Sequence, residues 1–367
     1  MSAAWEERRA ELLDPPPLLD GPRPAATIRG APEDFQVEEI PAYPPDGGEG
    51  HLFLTLRKRG WTTEDALRVV ARQLGVPRPE IGVAGQKDRH AVTTQWISLP
   101  AACGERLAAF THPDLELGEP HPHSHKLRRG HLRANRFRLV LRDLDLPAAA
   151  AAAHVRAVCG RLAEAGGLPY LFGPQRFGWQ GRNVEMGLGL LQRPWRIRPG
   201  DLALSALQSA LFHELWRLRR ERGLLRTVLE GDVLRKTATG GLFTSAEPAV
   251  DQLRLEAGEL ALTGPMFGSD RMAPPPGTPA ADLEDMALAA FGTTREVWRS
   301  LGKKAPGTRR ALFTPVEELE VSEAGDQLVL GFRLEAGAFA TRLLTELFRW
   351  CEAERTVDAA ADLPEEP

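Results

Sequence analysis

Apolar and polar residues alternate with period two in several short runs near the N-terminus, and then with helical spacing for a long middle stretch. Phe35-Gln36-Val37-Glu38, within a β-prone span from Thr27 to Ile40, predicts a strand, and His51 to Leu56 predicts another. Thr62 or Thr63 is placed to cap a helix over Glu64–Leu74, with Gly75 and Pro77 ending it. Ile81–Gly85, Thr93–Leu99 and Asn135–Leu144 read as further strands. An alanine-rich helix over Pro147–Ala165 follows, then Gly166-Gly167 and helical patterns over Leu202–Arg222 and Ala281–Ser300. Alternation returns at Leu328–Leu334, before a final helix over Ala340–Glu352. A β-rich, helix-rich, β-rich order is what a domain inserted into another leaves behind, with the outer sheet rebuilt from both ends of the chain. The first 26 residues read as a loosely structured lead-in with one short helix, Trp5–Leu13, stopped by Pro15-Pro16-Pro17.

The bulk numbers narrow the class without naming it. A chain of 367 residues fits two domains at ~150 residues each. Hydrophobic residues at 43% and charged residues at 26% are ordinary for a globular protein. No apolar run approaches the ~20 residues of a membrane span, and residues 1–20 lack a signal peptide's apolar core. Cys103, Cys159 and Cys351 are far apart and read as free thiols of a reducing cytoplasm. The net charge of -4 does not announce a nucleic-acid binder, but the charge is uneven. Between His121 and Arg142 lie Lys126, Arg128, Arg129, Arg133, Arg136, Arg138 and Arg142, and no acid. That run is either a solvated face or a track for RNA phosphates.

The segment with most chemistry is Ala84-Gly85-Gln86-Lys87-Asp88-Arg89-His90, a carboxylate between cations after a glycine turn. Neighbouring cations favour an ionised carboxylate, the form a nucleophile or base needs, although most such pairs are solvated turns. Asn135 and Phe137 share one face of their strand, an amide beside a ring, as a nucleobase pocket or simple core requires. His121, His123 and His125 lack the carboxylate or thiolate that would complete a metal site. There is no Gly-x-x-x-x-Gly-Lys-Ser/Thr loop, and Gly187-Leu188-Gly189 lacks the rest of a dinucleotide fingerprint. Leu168–Gly178, dense in aromatics, glycine and proline, reads as a structural corner or an RNA surface.

Taken in order, these motifs resemble the TruD family of tRNA pseudouridine synthases. The resemblance runs from about residue 27 to 350 and rests on Pro32–Glu39, Ala84–Thr93, His125–Gly130 with Asn135-Arg136-Phe137, Tyr170–Gly178, Leu204-Ser205-Ala206 with Leu211-Phe212, and Glu335–Thr341. It implies an α+β protein: a catalytic domain with a mixed, largely antiparallel sheet flanked by helices, plus an inserted α/β (TRUD) domain. The expected division is 1–26 as lead-in, 27–159 with 313–355 as catalytic domain, 160–312 as insert and 356–367 as a flexible tail, the two domains forming a cleft for tRNA. The family's activity is isomerisation of uridine-13 in the D arm of tRNAs such as tRNA-Glu, without cofactor or metal. By motif, Asp88 corresponds to the catalytic aspartate. Phe35 and Phe339 would line the base pocket, Asn135 would hold the nucleotide, and Phe137 would pack or stack beside it. Arg29 stands where the family often has lysine, and Lys87 is a candidate RNA contact. Tyr170-Leu171 departs from the family's usual Asn-Tyr or Asn-Phe. A monomer is the default expectation.

Two other readings compete. The same basic surface could serve a non-catalytic RNA-binding or folding factor. A glycoside hydrolase would need a second carboxylate, and none adjoins Asp88 in sequence.

Overall fold

The computed structural model describes residues 3–198, 200–269 and 272–353, so the expected tail over 356–367 lies outside the described residues. In chain order the elements begin with α1 (Ala3–Leu13), β1 (Ala25–Ile28), β2 (Phe35–Pro41), β3 (His51–Arg59), α2 (Thr63–Leu74), β4 (Gly82–Val83) and β5 (Val92–Pro100). Next come β6 (Leu115–Leu117), β7 (His121–His123), β8 (Leu132–Leu141) and α3 (Ala148–Glu164). The middle of the chain forms β9 (Leu168–Pro169), α4 (Arg182–Leu191), α5 (Leu202–Glu221), β10 (Val233–Lys236), β11 (Leu242–Thr244), α6 (Pro248–Glu256) and β12 (Leu260–Met266). Then α7 (Pro279–Ala290), α8 (Arg295–Ser300), β13 (Thr308–Ala311) and β14 (Phe313–Thr314) lead to β15 (Glu317–Ala324), β16 (Gln327–Glu335), α9 (Ala340–Leu347) and β17 (Arg349–Glu352).

The chain divides into two compact units. Among the described residues, one comprises 21–159, 316–337 and 347–353; the other comprises 3–20, 160–315 and 338–346. The first is built on a nine-stranded sheet with the order β15-β16-β8-β2-β5-β3-β6, β4 pairing with β5 and β7 with β3. Only β2 and β5 run parallel in it, which makes it mixed and largely antiparallel. Helix α2 covers part of one face: Thr62 caps it by accepting the Asp65 N–H, and Gly75 closes it at φ 59°, a left-handed position that favours glycine. Leu67, Val70 and Leu74 bury against Leu54, Leu56, Ile97 and Leu99 of β3 and β5.

The second unit carries a four-stranded antiparallel sheet, β11-β10-β12-β13, and a core around α5, whose Leu207, Ala210, Leu211 and Phe212 are buried. Residues 3–20 are not a loose lead-in; they pack within this unit. Trp5 and Leu12 are buried in its core, and Arg8 reaches Glu214 at 3.1 Å. The proline stretch is tied down because Arg342 donates to the carbonyls of Pro15 and Pro16 while Arg220 donates to that of Pro17. Glu346 accepts the N–H of Leu18.

Two expected helices change. The pattern over Ala281–Ser300 is two helices, α7 and α8, parted at Gly292 with φ 65°. The last helix stops at Leu347, and the chain continues as β17, parallel to β1 with Ile28 opposite Glu352. A ladder with β1 satisfies backbone groups that a longer helix could not reach.

His213 shows how tightly the second unit is knit. Its Nδ1 donates to the Leu12 carbonyl at 2.7 Å and its Nε2 accepts the Phe172 N–H at 2.8 Å, so both nitrogens are used by the neutral ring. Burial pushes its pKa from 6.5 down to about 3. Between those values the unfolded chain holds a proton that the folded chain refuses, so stability falls as pH drops through that window. The expected loss from this group is about 1.4 kcal/mol per pH unit. Urea unfolding at pH 6, 5 and 4 should show this slope in the native chain and lose it in a His213→Gln variant.

Candidate active site

Asp88 sits in the loop between β4 and β5, and three side chains, those of Lys58, Thr63 and Gln95, fix that loop by its backbone. Lys58, at the end of β3, donates from Nζ to the carbonyls of Asp88 and Trp61, each at 2.7 Å. Thr63 accepts the Lys87 N–H at 2.9 Å and donates to Gln95, whose amide reaches the Gly85 carbonyl at 3.5 Å. Lys87 pairs through Nζ with the buried carboxylate of Glu39, which also accepts the Trp96 N–H. The loop is therefore anchored at Gly85, Lys87 and Asp88, while the Asp88 side chain stays 48% exposed.

Arg29 meets that side chain. One nitrogen donates to Asp88 Oδ2 at 2.9 Å and another to Glu352 Oε1 at 2.9 Å, and the guanidinium lies over the Phe35 ring, 4.4 Å from its centroid. A planar fork reaches two carboxylates from separate nitrogens while its flat face stacks on a ring, a geometry that the single nitrogen of a lysine ammonium does not reproduce. Arg29 adopts φ 58°, a left-handed conformation that costs a non-glycine residue about 1–2 kcal/mol. That is the kind of local strain that marks functional positions.

The sheet supplies an aromatic row beside this cluster. Pairing of β2 with β8 sets Val37 opposite Phe137 and Glu39 opposite Asn135, and β16 adds Phe332 opposite Phe137. Phe35 meets Phe137 edge-on at 6.4 Å, and Phe137 stacks on Phe332 at 5.2 Å. Phe35 and Phe137 are buried in this row. Asn135 is buried too, and its Oδ1 has no hydrogen-bond partner among the described residues. A buried orphan acceptor costs about 1–3 kcal/mol and is the right group to receive an N–H from a bound base.

Of the site residues expected from sequence, Asp88, Arg29, Lys87, Phe35, Asn135 and Phe137 gather in this unit. Phe339 belongs to the other unit, where its ring lies 6.2 Å from Phe172. The basic tract is split by strand alternation and by ion pairs. Arg142 grips Asp34 with two bonds of 2.8 Å, and Arg136 pairs with Glu38 and Glu318. Arg128, Arg129, Arg133 and Arg138 have no ion pair among the described residues. His123 is buried and its Nδ1 accepts the Asp46 N–H at 3.1 Å. Among the described residues no three His, Cys, Asp or Glu side chains cluster as a metal site, and no helix is long and apolar enough to cross a membrane.

Lys58, Glu39 and Glu352 were not evident in the sequence. Lys58 stands in the charged run Arg57-Lys58-Arg59, yet it continues the buried series Leu54, Leu56, and that period was the available signal. Burial pushes its pKa down to about 8, opposed by the charge of Asp88 and helped by that of Lys87.

The mixed sheet thus presents an exposed carboxylate, Asp88, on a clamped loop beside a buried aromatic row and an orphan amide. The chain belongs to the TruD family of tRNA pseudouridine synthases. The profile of the family described as tRNA pseudouridine synthase D (TruD) matches residues 18–197 and 200–347. A tRNA pseudouridine synthase D of Anaeromyxobacter sp. (strain Fw109-5) is 44% identical, over 95% of this chain and 98% of its own. One from Thermus thermophilus is 39% identical, covering 90% of each chain. A crystal structure from Methanosarcina mazei bearing the TruD name shares the fold, with a TM-score of 0.70, 22% identity and coverage of 93% of this chain and 98% of that one.

Proposed function

We propose that this protein isomerises uridine to pseudouridine in tRNA, at position 13 of the D arm, with Asp88 as the catalytic carboxylate. It would act in the cytoplasm as a monomer. The observation that best supports the reading is the Asp88–Arg29–Phe35 arrangement: a carboxylate held by a guanidinium that itself lies on an aromatic ring.

The reaction breaks the N1–C1′ glycosidic bond, turns the uracil and joins C5 to C1′; C5 gives up its hydrogen as a proton and N1 takes one, with no net oxidation or reduction. The uridine must leave its stack and the detached base must be retained. Asp88 would attack the sugar or base covalently or remove a sugar proton; both routes use the ionised carboxylate. Asn135 Oδ1 would accept an N–H of the base, Phe35 would bound the uracil, and Arg29 would hold the Asp88 carboxylate in place. Lys87, paired with the buried Glu39, would anchor the loop and is not free for an RNA phosphate.

Incubating the protein with tRNA labelled with tritium at uridine C5 should release the label, and chemical mapping should find pseudouridine at position 13. Absence of release from every tRNA tried would remove the reading. Arg29→Lys should lower kcat/KM about tenfold, the loss of one charge-assisted hydrogen bond when a fork becomes a point charge. The same assay across substrate concentrations measures it.

A further inference from the structure

The unit formed by 3–20, 160–315 and 338–346 exposes two large indoles that the site above does not use. Trp179 and Trp195 are 82% and 72% exposed. Trp179 begins the short turn Trp179–Gly181 that leads into α4, and Trp195 lies in the turn Pro194–Arg196 that follows it. They flank a helix ~15 Å long at 1.5 Å per residue.

Between them, Arg182, Met186, Gly189 and Arg193 recur at helical spacing and are all exposed. A depression of about 350 Å³ lies there, lined by Met186, Gly189, Leu190, Arg193 and Arg196 among others, and a Cβ on Gly189 would meet nothing within 4 Å. Arg182, Arg193, Arg196 and Arg198 have no ion pair among the described residues. The nearby acids are engaged: Glu185 pairs with Arg9 at 3.6 Å, and Asp201 caps α5 through the N–H groups of Ala203 and Leu204.

Exposed indoles among unneutralised guanidiniums fit one kind of partner better than others. A protein groove that accepts tryptophan needs no cluster of spare cations. A helix lying on a membrane turns an apolar face outward, but Val184 of α4 is buried and its outward line is arginine, methionine and glycine. Unpaired nucleotides offer flat bases to the indoles and phosphates to the arginines. We propose that α4 and its two flanking turns are an RNA platform, on which Trp179 and Trp195 stack with unpaired bases of the substrate while Arg182, Arg193 and Arg196 take its phosphates. This rests on the RNA reading given above and extends it to a contact surface outside the Asp88 cluster.

The test measures binding of the full chain to a tRNA transcript by fluorescence anisotropy over a salt series, beside the tritium-release assay. Trp179→Ala and Trp195→Ala should each weaken binding roughly tenfold. The combined Arg182→Gln, Arg193→Gln and Arg196→Gln variant should reduce the slope of log K against log salt by about 2. At saturating tRNA all should keep the native kcat. Native-like affinity and slope in these variants would overturn the platform while leaving uridine isomerisation intact. A native chain that binds tRNA through this surface but releases no label would do the reverse. Binding to phosphatidylglycerol vesicles but not to tRNA would replace the RNA platform with a membrane contact. Melting temperature monitors folding, and should one tryptophan variant unfold, the charge variant still decides.

Discussion

Asp88→Asn is expected to abolish isomerisation, with tritium release reduced at least ~10³-fold, as follows when a catalytic carboxylate loses its charge. The substitution is nearly isosteric, and the amide oxygen can still accept from Arg29, so the Arg29–Glu352 contact and the Phe35 ring should keep their places. The backbone anchors of the loop, from Lys58 to the Asp88 carbonyl and from Thr63 to the Lys87 N–H, do not involve the substituted group. Stability and tRNA affinity should therefore stay near native. A variant that releases label at the native rate would show that another group performs the chemistry. A non-catalytic RNA factor built on the same residues is separated by a different result: its native form would bind tRNA and release nothing.

Lys58→Met is expected to impair catalysis without unfolding the protein, because two effects on stability oppose each other. Removing a buried ammonium abolishes the burial cost that pushes its pKa from 10.5 to about 8. The same change leaves the carbonyls of Trp61 and Asp88 without their donor, at about 1–3 kcal/mol for an unsatisfied buried group. These are of similar size, so the melting temperature should move little. Catalysis has no such compensation. A loop released at Asp88 can shift by an ångström, and misplacement of that size costs about 10² in rate. We expect kcat to fall by about that factor with KM near native. The pH dependence of stability separates this from a general packing defect. Between pH 8 and 10.5 the unfolded chain holds a proton on Lys58 that the folded chain has released, so native stability rises with pH across that window. The variant should lack this rise in denaturant titrations at pH 8, 9 and 10. An unchanged kcat would mean that Lys58 does not position Asp88.

Much of the fold was legible because its signals are local. Thr62 and Gly75 marked the ends of α2, and the alternation of Phe35, Val37, Asn135, Phe137 and Leu139 gave the strands and their buried faces. What misled were patterns that tertiary partners reinterpret. Residues Arg349–Glu352 continue an apparently helical pattern, but β1 offers them a ladder. Arg142 and Arg136 look like phosphate ligands until Asp34, Glu38 and Glu318 are brought to them from distant positions. Residues 3–20 carry little long-range information of their own, and their place depends on Arg342, Arg220 and Glu346, far along the chain.

By itself the sequence determined the family, the α+β class, and the identity of Asp88, Arg29, Lys87, Phe35, Asn135, Phe137 and Phe339 as residues to watch, because motif and period are properties of neighbouring positions. Only the tertiary structure decided which of them meet, and by what means. Arg29 reaches Asp88 from a strained turn 59 residues earlier, Glu352 joins from the last described strand, and Lys58 holds the loop from beneath. Hydrogen bonds and burial act through space, so the cluster exists only once the sheet has brought its strands into register.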